Sequence, residues 1–245
     1  MAVSAVFSIK GGVGKTAAAV NLAALSAVHG RRVLLWDLDP QGAATWYLQG
    51  EALDNTPLKR LLKGKGIGER IRPTAQRNLF LLPSDPHYRD LERVLDDMKR
   101  STLRLREMLG EIGEDFDEIW IDCPPGLSLL ADNLFRAVDR LIVPLVPTWL
   151  SERAYLQLVE DLRERCPHPP QLLAFLSMVD RRRALHRDFY ATHGASLPGL
   201  LPVEIPYASL IEQMGEARAP LVWTHSRSEP AQAYFRLWKQ LEQAG

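Results

Sequence analysis

The chain has 245 residues, 46% of them hydrophobic and 24% charged, with 30 lysines and arginines balanced by 30 aspartates and glutamates. That length suffices for a domain with a sizeable core, and a net charge of zero excludes an overall field that would draw the protein to nucleic acid or membrane; such contacts are left to local patches. Cys123 and Cys166 are far apart and form no CxxC pair, which argues against a zinc site or a disulfide framework and for a reducing compartment.

The first apolar run, 3–9, reads as a strand, with a glycine turn at 10–14 and a helix over 15–29. A strand at 33–37 (VLLWD) precedes helical stretches at 42–49 and 56–63. A strand at 78–82 leads into a long helix over 88–111, and a strand at 118–122 into a helix over 127–137. Strands at 140–146, 172–177 and 201–205 then alternate with helices at 151–165, 183–193 and 207–214, and a helix over 229–243 ends the chain. Several strands are continuously apolar, as a sheet covered on both faces requires. The alternation predicts an α/β fold, a doubly wound, mostly parallel sheet flanked by helices, in one domain spanning 1–245. KGKGIG (63–68) and PHPP (167–170) read as surface loops. The amino terminus lacks a charged secretory leader. The run LIVPLVPTWL is too short to span a bilayer and is broken by Pro144 and Pro147, so a cytoplasmic location is expected.

VFSIKGGVGKTAAAVNLA (6–23) sets three glycines and two lysines between strand and helix, the context that a P-loop requires. Glycines let successive N–H groups turn toward phosphate oxygens, and the helix N-terminus adds partial positive charge. Lys15 is placed to reach the β- and γ-phosphates and Thr16 to offer its hydroxyl to Mg²⁺. The strict pattern GxxxxGK[ST] would have glycine where this chain has Ile9. One lysine suffices for a phosphate, so Lys10 needs another explanation. Asp37 and Asp39 stand at the carboxyl end of the second strand and Asp122 at the end of another, the edge where open α/β sheets bind ligands. A carboxylate there can orient water or support a Mg²⁺ shell; a plain turn cap is the alternative for Asp39-Pro40. Cys123 reads as a small buried side chain.

KGGVGKT resembles the deviant Walker A box of the ParA/MinD ATPases, the P-loop NTPases in which the extra lysine reaches across a nucleotide-sandwich dimer. The resemblance implies that Lys10 serves the phosphates of the other subunit and Lys15 those of its own. ATP or ADP would be cradled by Lys10, Gly11, Gly12, Val13, Gly14, Lys15, Thr16 and Ala17. DLDPQG (37–42) is similar to the family's switch motif, which gives water positioning to Asp39 and support of the metal shell to Asp37. FDEIWIDCPPG (116–126) looks like its Walker B segment, with Asp122 on Mg²⁺ through water. Thr16, Asp37, Asp39 and Asp122 thus form the implied metal set, and Lys10, Lys15 and Asp39 the catalytic one. LSMVDRRRALH and VEIPYASLIEQM match where the family binds adenine, which puts Met178, Asp180, Pro206 and Tyr207 near the base.

The function implied is a ParA-like ATPase, slow and stimulated by a partner, which cycles between an ADP-bound or empty monomer and an ATP-bound homodimer and positions chromosomes, plasmids or protein cargo. The expected partners are non-specific DNA, with nucleoid association, and a ParB-like stimulator or cargo adaptor. The candidate DNA patch is Arg181, Arg182, Arg183 and Arg187, with His186 beside it. The stretch after the IP turn departs from many ParA proteins in lacking a basic residue. The first strand begins near Met1, so no helix-turn-helix is expected before it. In the last helix Tyr234, Trp238 and Leu241 share a face, with Phe235 and Leu237 off it; its mixed polar side favours packing on the sheet over the membrane anchor of MinD. The rivals are a MinD-like membrane ATPase, a P-loop ligase of the cobyrinate-amidating or dethiobiotin-forming kind, and an iron–sulfur reductase, whose cluster cysteines the chain does not display.

Overall fold

Eight strands form one continuous sheet in the order β3-β4-β2-β5-β1-β6-β7-β8. They are β1 (Ala2–Val6), β2 (Val33–Asp37), β3 (Arg72–Pro73), β4 (Leu79–Leu82), β5 (Glu118–Asp122), β6 (Arg140–Leu145), β7 (Gln171–Val179) and β8 (Leu200–Pro206). All neighbours run parallel except β3, which pairs antiparallel with β4 at the sheet edge. The computed structural model describes residues 1–53, 58–63, 66–98, 101–126 and 128–244. Parts of the expected helices 56–63, 88–111 and 127–137 and of the loop 63–68 lie outside the described residues.

The helices are α1 (Lys15–Val28), α2 (Ala43–Tyr47), α3 (Leu58–Leu61), α4 (Leu91–Asp96), α5 (Arg104–Ile112), α6 (Leu129–Ala137), α7 (Trp149–Arg165), α8 (Ala184–His193), α9 (Ser209–Glu212), α10 (Met214–Ala217), α11 (Leu221–Thr224) and α12 (Glu229–Ala244). The pleat of β2 divides the core between two layers: Leu34 and Trp36 pack with residues of α4 to α8, and Val33 and Leu35 with α1 and α12. Both layers are apolar, which is why the central strands read as unbroken hydrophobic runs.

Two buried asparagines explain where the helices depart from the expected pattern. The chain over 88–111 is not one helix. A 3₁₀ turn at Pro86–Asp90 leads into α4, and a second at Ser101–Leu103 precedes α5. Asn133 Oδ1 on α6 accepts from the backbone N–H of Arg104 at 3.1 Å and of Leu105 at 3.4 Å, so α5 begins on a cap supplied from another helix. In the same way Asn21 Oδ1 on α1 accepts from Val222 N at 3.1 Å at the start of α11, a helix absent from the expected set. The segment expected as a helix over 207–214 starts at Ser209 and breaks at Gln213 into α9 and α10, and β1 ends at Val6 rather than at 9. The short edge strand β3 was not expected either.

The last helix packs on α1 and β8 as anticipated. Trp238 Nε1 donates to Ser26 Oγ at 3.0 Å, and Tyr234 and Leu241 are buried. Leu237 corrects the expected face, since it is fully buried between them. No helix among the described residues is long and apolar enough to cross a membrane.

Candidate functional site

The connection from β1 leads toward β2 on one side of the sheet, and that from β5 toward β6 on the other, with β1 and β5 adjacent. Such a divergence opens a crevice beyond the carboxyl ends of the strands. In register Val6 and Asp37 both pair with Asp122, so the loops after β1, β2 and β5 leave the sheet at one level.

The loop after β1 is a glycine cradle. Gly12 and Gly14 have φ of 69° and 89°, left-handed values that side chains disfavour. A β-carbon on Gly14 would stand 3.0 Å from Ser177 Oγ, and that hydroxyl donates to Val13 O at 2.8 Å, pinning the loop to β7. Gly14 caps α1 without a side-chain hydrogen bond, and the first turn carries no acidic residue. The leading N–H groups of this 14-residue helix are therefore left for an anion. Lys15 opens the helix, is buried, and donates from Nζ to Lys10 O at 3.4 Å. Lys10 is turned elsewhere: its Nζ donates to Ser151 Oγ at 3.4 Å, on the first turn of α7.

The strand-end carboxylates are buried and underbonded. Asp37 Oδ2 accepts from the N–H and hydroxyl of Thr45, both at 2.7 Å, and so ties the loop after β2 to the strand. Thr45 Oγ1 accepts in turn from Ser84 N at 2.8 Å. Among the described residues Asp37 Oδ1 accepts no hydrogen bond, and the Asp122 carboxylate has only the Thr16 hydroxyl beside it, without a well-formed bond. Burial pushes Asp37 from the usual carboxylate range up to about 6, against the lowering bonds from Thr45. Burial also raises Asp122 well above its ordinary value, with the Asp37 charge adding to it and Thr16 and Lys15 opposing it.

These shifts fix the sign of a pH effect. A carboxyl whose folded pKa is raised holds more protons folded than unfolded between about 4 and 6, so the metal-free chain loses stability as pH rises through that window. Asp122→Asn removes a buried carboxyl whose ionisation is opposed by burial and by the Asp37 charge, and is expected to raise the melting temperature at pH 7 in EDTA by a few degrees. A lower melting temperature in thermal denaturation would contradict the strain assigned to this pair.

Asp39 is more exposed. Its Oδ1 accepts from Gln41 N at 2.9 Å, and its carbonyl accepts from Gly42 N at 3.0 Å and from the Ser84 hydroxyl. Asp39 thus does cap the following turn, and it also lines a cleft of about 560 Å³. Gly11, Gly12, Val13, Gly14, Lys15, Thr16 and Ala17 form one wall of that cleft; Met178, Pro206, Tyr207, Ile211 and Glu212 form another, with Tyr47 and the Pro124–Pro125 pair closing it. Met178 takes a left-handed φ of 55° at the end of β7, and the Tyr207 hydroxyl donates to Glu212 Oε1 at 3.1 Å.

Two expected members stand apart. Lys10 does not line the cleft, and neither does Asp180. Asp180 faces an adjoining depression of about 800 Å³, where Arg182 grips it through Nε at 2.8 Å and Nη2 at 2.9 Å and Arg183 approaches at 3.7 Å. Arg182 holds its carboxyl down to about 2. Arg181 pairs with Glu204 at 2.9 Å, and Arg187 donates to the Arg181 carbonyl at 3.0 Å. The arginines form one exposed group, partly neutralised by Asp180 and Glu204. His186 does not join them: it is buried and its Nδ1 accepts from Asp180 N at 3.0 Å. Cys123 is buried, as expected of a packing residue.

Sequence reasoning missed Thr45, Ser84, Ser151, Ser177, Tyr47 and the Ile211–Glu212 wall. Only Thr45 carried a local signal, eight residues after Asp37 on the helix that its loop enters. No three His, Cys, Asp or Glu side chains converge as a metal cage among the described residues. The orphaned oxygens of Asp37 and Asp122 beside the Thr16 hydroxyl nonetheless suit an ion such as Mg²⁺, which takes one or two protein oxygens and keeps its waters.

A family model described as "AAA domain" matches residues 1–166. The chain is 31% identical to the chromosome partitioning protein ParA of Myxococcus xanthus over 95% of its own length and 84% of the relative's. Among solved structures, a cobyrinic acid a,c-diamide synthase from Mycobacterium smegmatis with a bound ATP analogue and magnesium is 28% identical, with a TM-score of 0.82 over 99% of this chain and 94% of that one. An ATP complex of McdA from Cyanothece shares the fold, with 20% identity and a TM-score of 0.82 over 99% of this chain and 96% of that one.

Proposed function

The chain belongs to the ParA/MinD-type P-loop ATPases, the family its AAA-domain match and its partitioning relative represent, and from that premise we propose that it is a ParA-like positioning ATPase working as an ATP-bound dimer. The observation that carries the reading is the split between the two lysines. Lys15 sits under the cleft, whereas Lys10 on the same loop lies outside it and rests on α7. A lysine that its own cleft does not use is available to a second copy's phosphates.

In this reading the N–H groups of 11–17 and the Lys15 ammonium bind the phosphates of ATP, and Met178, Pro206 and Tyr207 flank the base. Thr16, Asp37 and Asp122 hold Mg²⁺, which supplies charge neutralisation on the phosphates. Asp39 orients water for in-line attack on the γ-phosphate, slowly until a partner completes the site. Ordering of the loops that follow Asp39 and Asp122 by the γ-phosphate couples the nucleotide to the dimer.

The exposed arginines 181–183 and 187 are the surface this reading gives to non-specific DNA, which would bring the protein to the nucleoid. With Asp180 and Glu204 interspersed, the affinity is modest and sensitive to salt. Replacing Arg182, Arg183 and Arg187 by glutamate is expected to abolish ATP-dependent retention on DNA and leave ATP binding intact. Unchanged retention in a DNA pull-down would remove the patch.

The Mycobacterium smegmatis structure supports a second reading, a ligase that activates a small acceptor with ATP. Phosphate release without any small molecule, accelerated by DNA and a partner protein, favours the positioning ATPase. Strict dependence on an acceptor carboxylate favours the ligase.

A further inference from the structure

Asp39 rides on a turn that one backbone bond closes, from Gly42 N to Asp39 O at 3.0 Å. A bond of that kind fixes the closure of the turn but not its orientation to the neighbouring strands. The loop after β4 supplies the missing constraint. β4 runs parallel to β2 with Leu82 in register with Trp36, and the chain just beyond Leu82 reaches the turn. Ser84 is 1% exposed and packs against Gly42, where a β-carbon would stand 3.5 Å from Ser84 Cβ. The Ser84 hydroxyl donates to the Asp39 carbonyl, so this one side chain touches both ends of the turn.

Ser84 is itself held from several sides. Its N–H donates to Thr45 Oγ1 at 2.8 Å, and its carbonyl accepts from Leu53 N at 2.7 Å. Thr45 Oγ1 donates in turn to Asp37 Oδ2 at 2.7 Å. Asp37, Thr45, Ser84 and Asp39 therefore close a ring of hydrogen bonds, completed by the chain that runs from Asp37 through Leu38 to Asp39. One corner of the ring is the carboxylate assigned to the metal, and another is the residue assigned to the water. Ser84 is the corner contributed by a different strand. A buried hydroxyl on a backbone fixed at both its N–H and its carbonyl keeps one geometry and imposes it on its acceptor.

We propose that Ser84 is a positioning residue for hydrolysis: its hydroxyl fixes the Asp39 peptide, and with it the direction in which the Asp39 carboxylate presents water to the γ-phosphate. The inference rests on the ATPase reading above and adds a residue to it. Catalysis by positioning is steep in distance, since a misplacement of about 1 Å lowers a rate about 10²-fold. Ser84 does not line the cleft that would hold the nucleotide, so its loss acts through Asp39 and not on ATP.

The test compares the full chain with its Ser84→Ala, Ser84→Thr and Asp39→Ala variants in ATP and Mg²⁺. Phosphate release gives kcat and KM, and calorimetry gives the affinity for ATP. Ser84→Ala is expected to lower kcat roughly 10- to 100-fold and to leave ATP affinity within about 2-fold. Ser84→Thr keeps the hydroxyl and is expected to hold kcat within about 3-fold of the parent. Should circular dichroism show Ser84→Ala misfolded, Ser84→Cys, a much weaker donor, is measured in its place with the same expectation. With Asp39→Ala inactive, three results would each overturn the role of Ser84 and leave the ATPase reading standing: unchanged kcat without the hydroxyl, affinity lost in step with kcat, or a threonine variant as slow as the alanine one. A parent that turns over no ATP, or an Asp39→Ala chain as fast as the parent, would overturn the underlying reading and the Ser84 inference together.

Discussion

With Lys15 replaced by alanine, ATP binding is expected to weaken by roughly two to three orders of magnitude while the chain keeps its fold. The ammonium is buried at the foot of the cleft, where its hydrogen bond to the Lys10 carbonyl at 3.4 Å leaves donors for phosphate oxygens. Truncating one partner of a buried, hydrogen-bonded charge pair costs about 2–5 kcal/mol, which sets the size of the effect. A second loss follows from the carboxylates. Lys15 helps hold the Asp122 pKa down, so its removal raises that pKa further and makes Asp122 a poorer host for a metal ion. The fold survives because α1 is anchored beyond this point by the fully buried residues from Ala18 to Ala24, all apolar except the hydrogen-bonded Asn21. Titration calorimetry measures the affinity, and a change of less than about threefold would remove Lys15 from the phosphate site.

Asp39→Ala is expected to separate binding from turnover: hydrolysis falls about 10²- to 10⁴-fold while affinity for ATP moves little. The loop around Asp39 is held mainly by groups that the substitution keeps. Its carbonyl bonds to Gly42 N and Ser84 Oγ remain, and so does the Asp37–Thr45 tie behind it. What is lost is the bond from Gln41 N, an exposed turn contact worth about 1 kcal/mol. Single-turnover phosphate release and nucleotide titration together decide the matter. Affinity lost in proportion to turnover would make Asp39 a loop organiser and leave the attacking water to another group.

The site was legible where chemistry is written in consecutive residues. GGVGKT between an apolar strand and an alanine-rich helix could be read because glycine torsions and a leading lysine are local demands. Asp37 and Asp122 could be read because each terminates an unbroken apolar strand. What stayed hidden is held by contacts between distant segments. Ser177 reaches Val13 across 164 positions and Ser151 reaches Lys10 across 141, so neither spacing leaves a trace in the local pattern. Asn133 and Asn21 cap α5 and α11 from other helices, and a reading that looks for caps just ahead of a helix passes them by. Strand β3 was hidden for another reason: two exposed residues, one of them Pro73, carry almost no strand signal. Asp180 shows the limit of motif transfer. Its position in the chain is close to Met178, but the arginines on its own loop draw its carboxylate away from the cleft.

The central claim is that Lys10 acts on a neighbouring copy, and the mass of the particle in solution tests it most directly. Light scattering on the Asp39→Ala chain with ATP and Mg²⁺ is expected to give twice the 27.6 kDa of one chain, and the same chain carrying Lys10→Ala in addition should stay at that single mass with ATP still bound. Equal doubling with and without Lys10 would contradict the account.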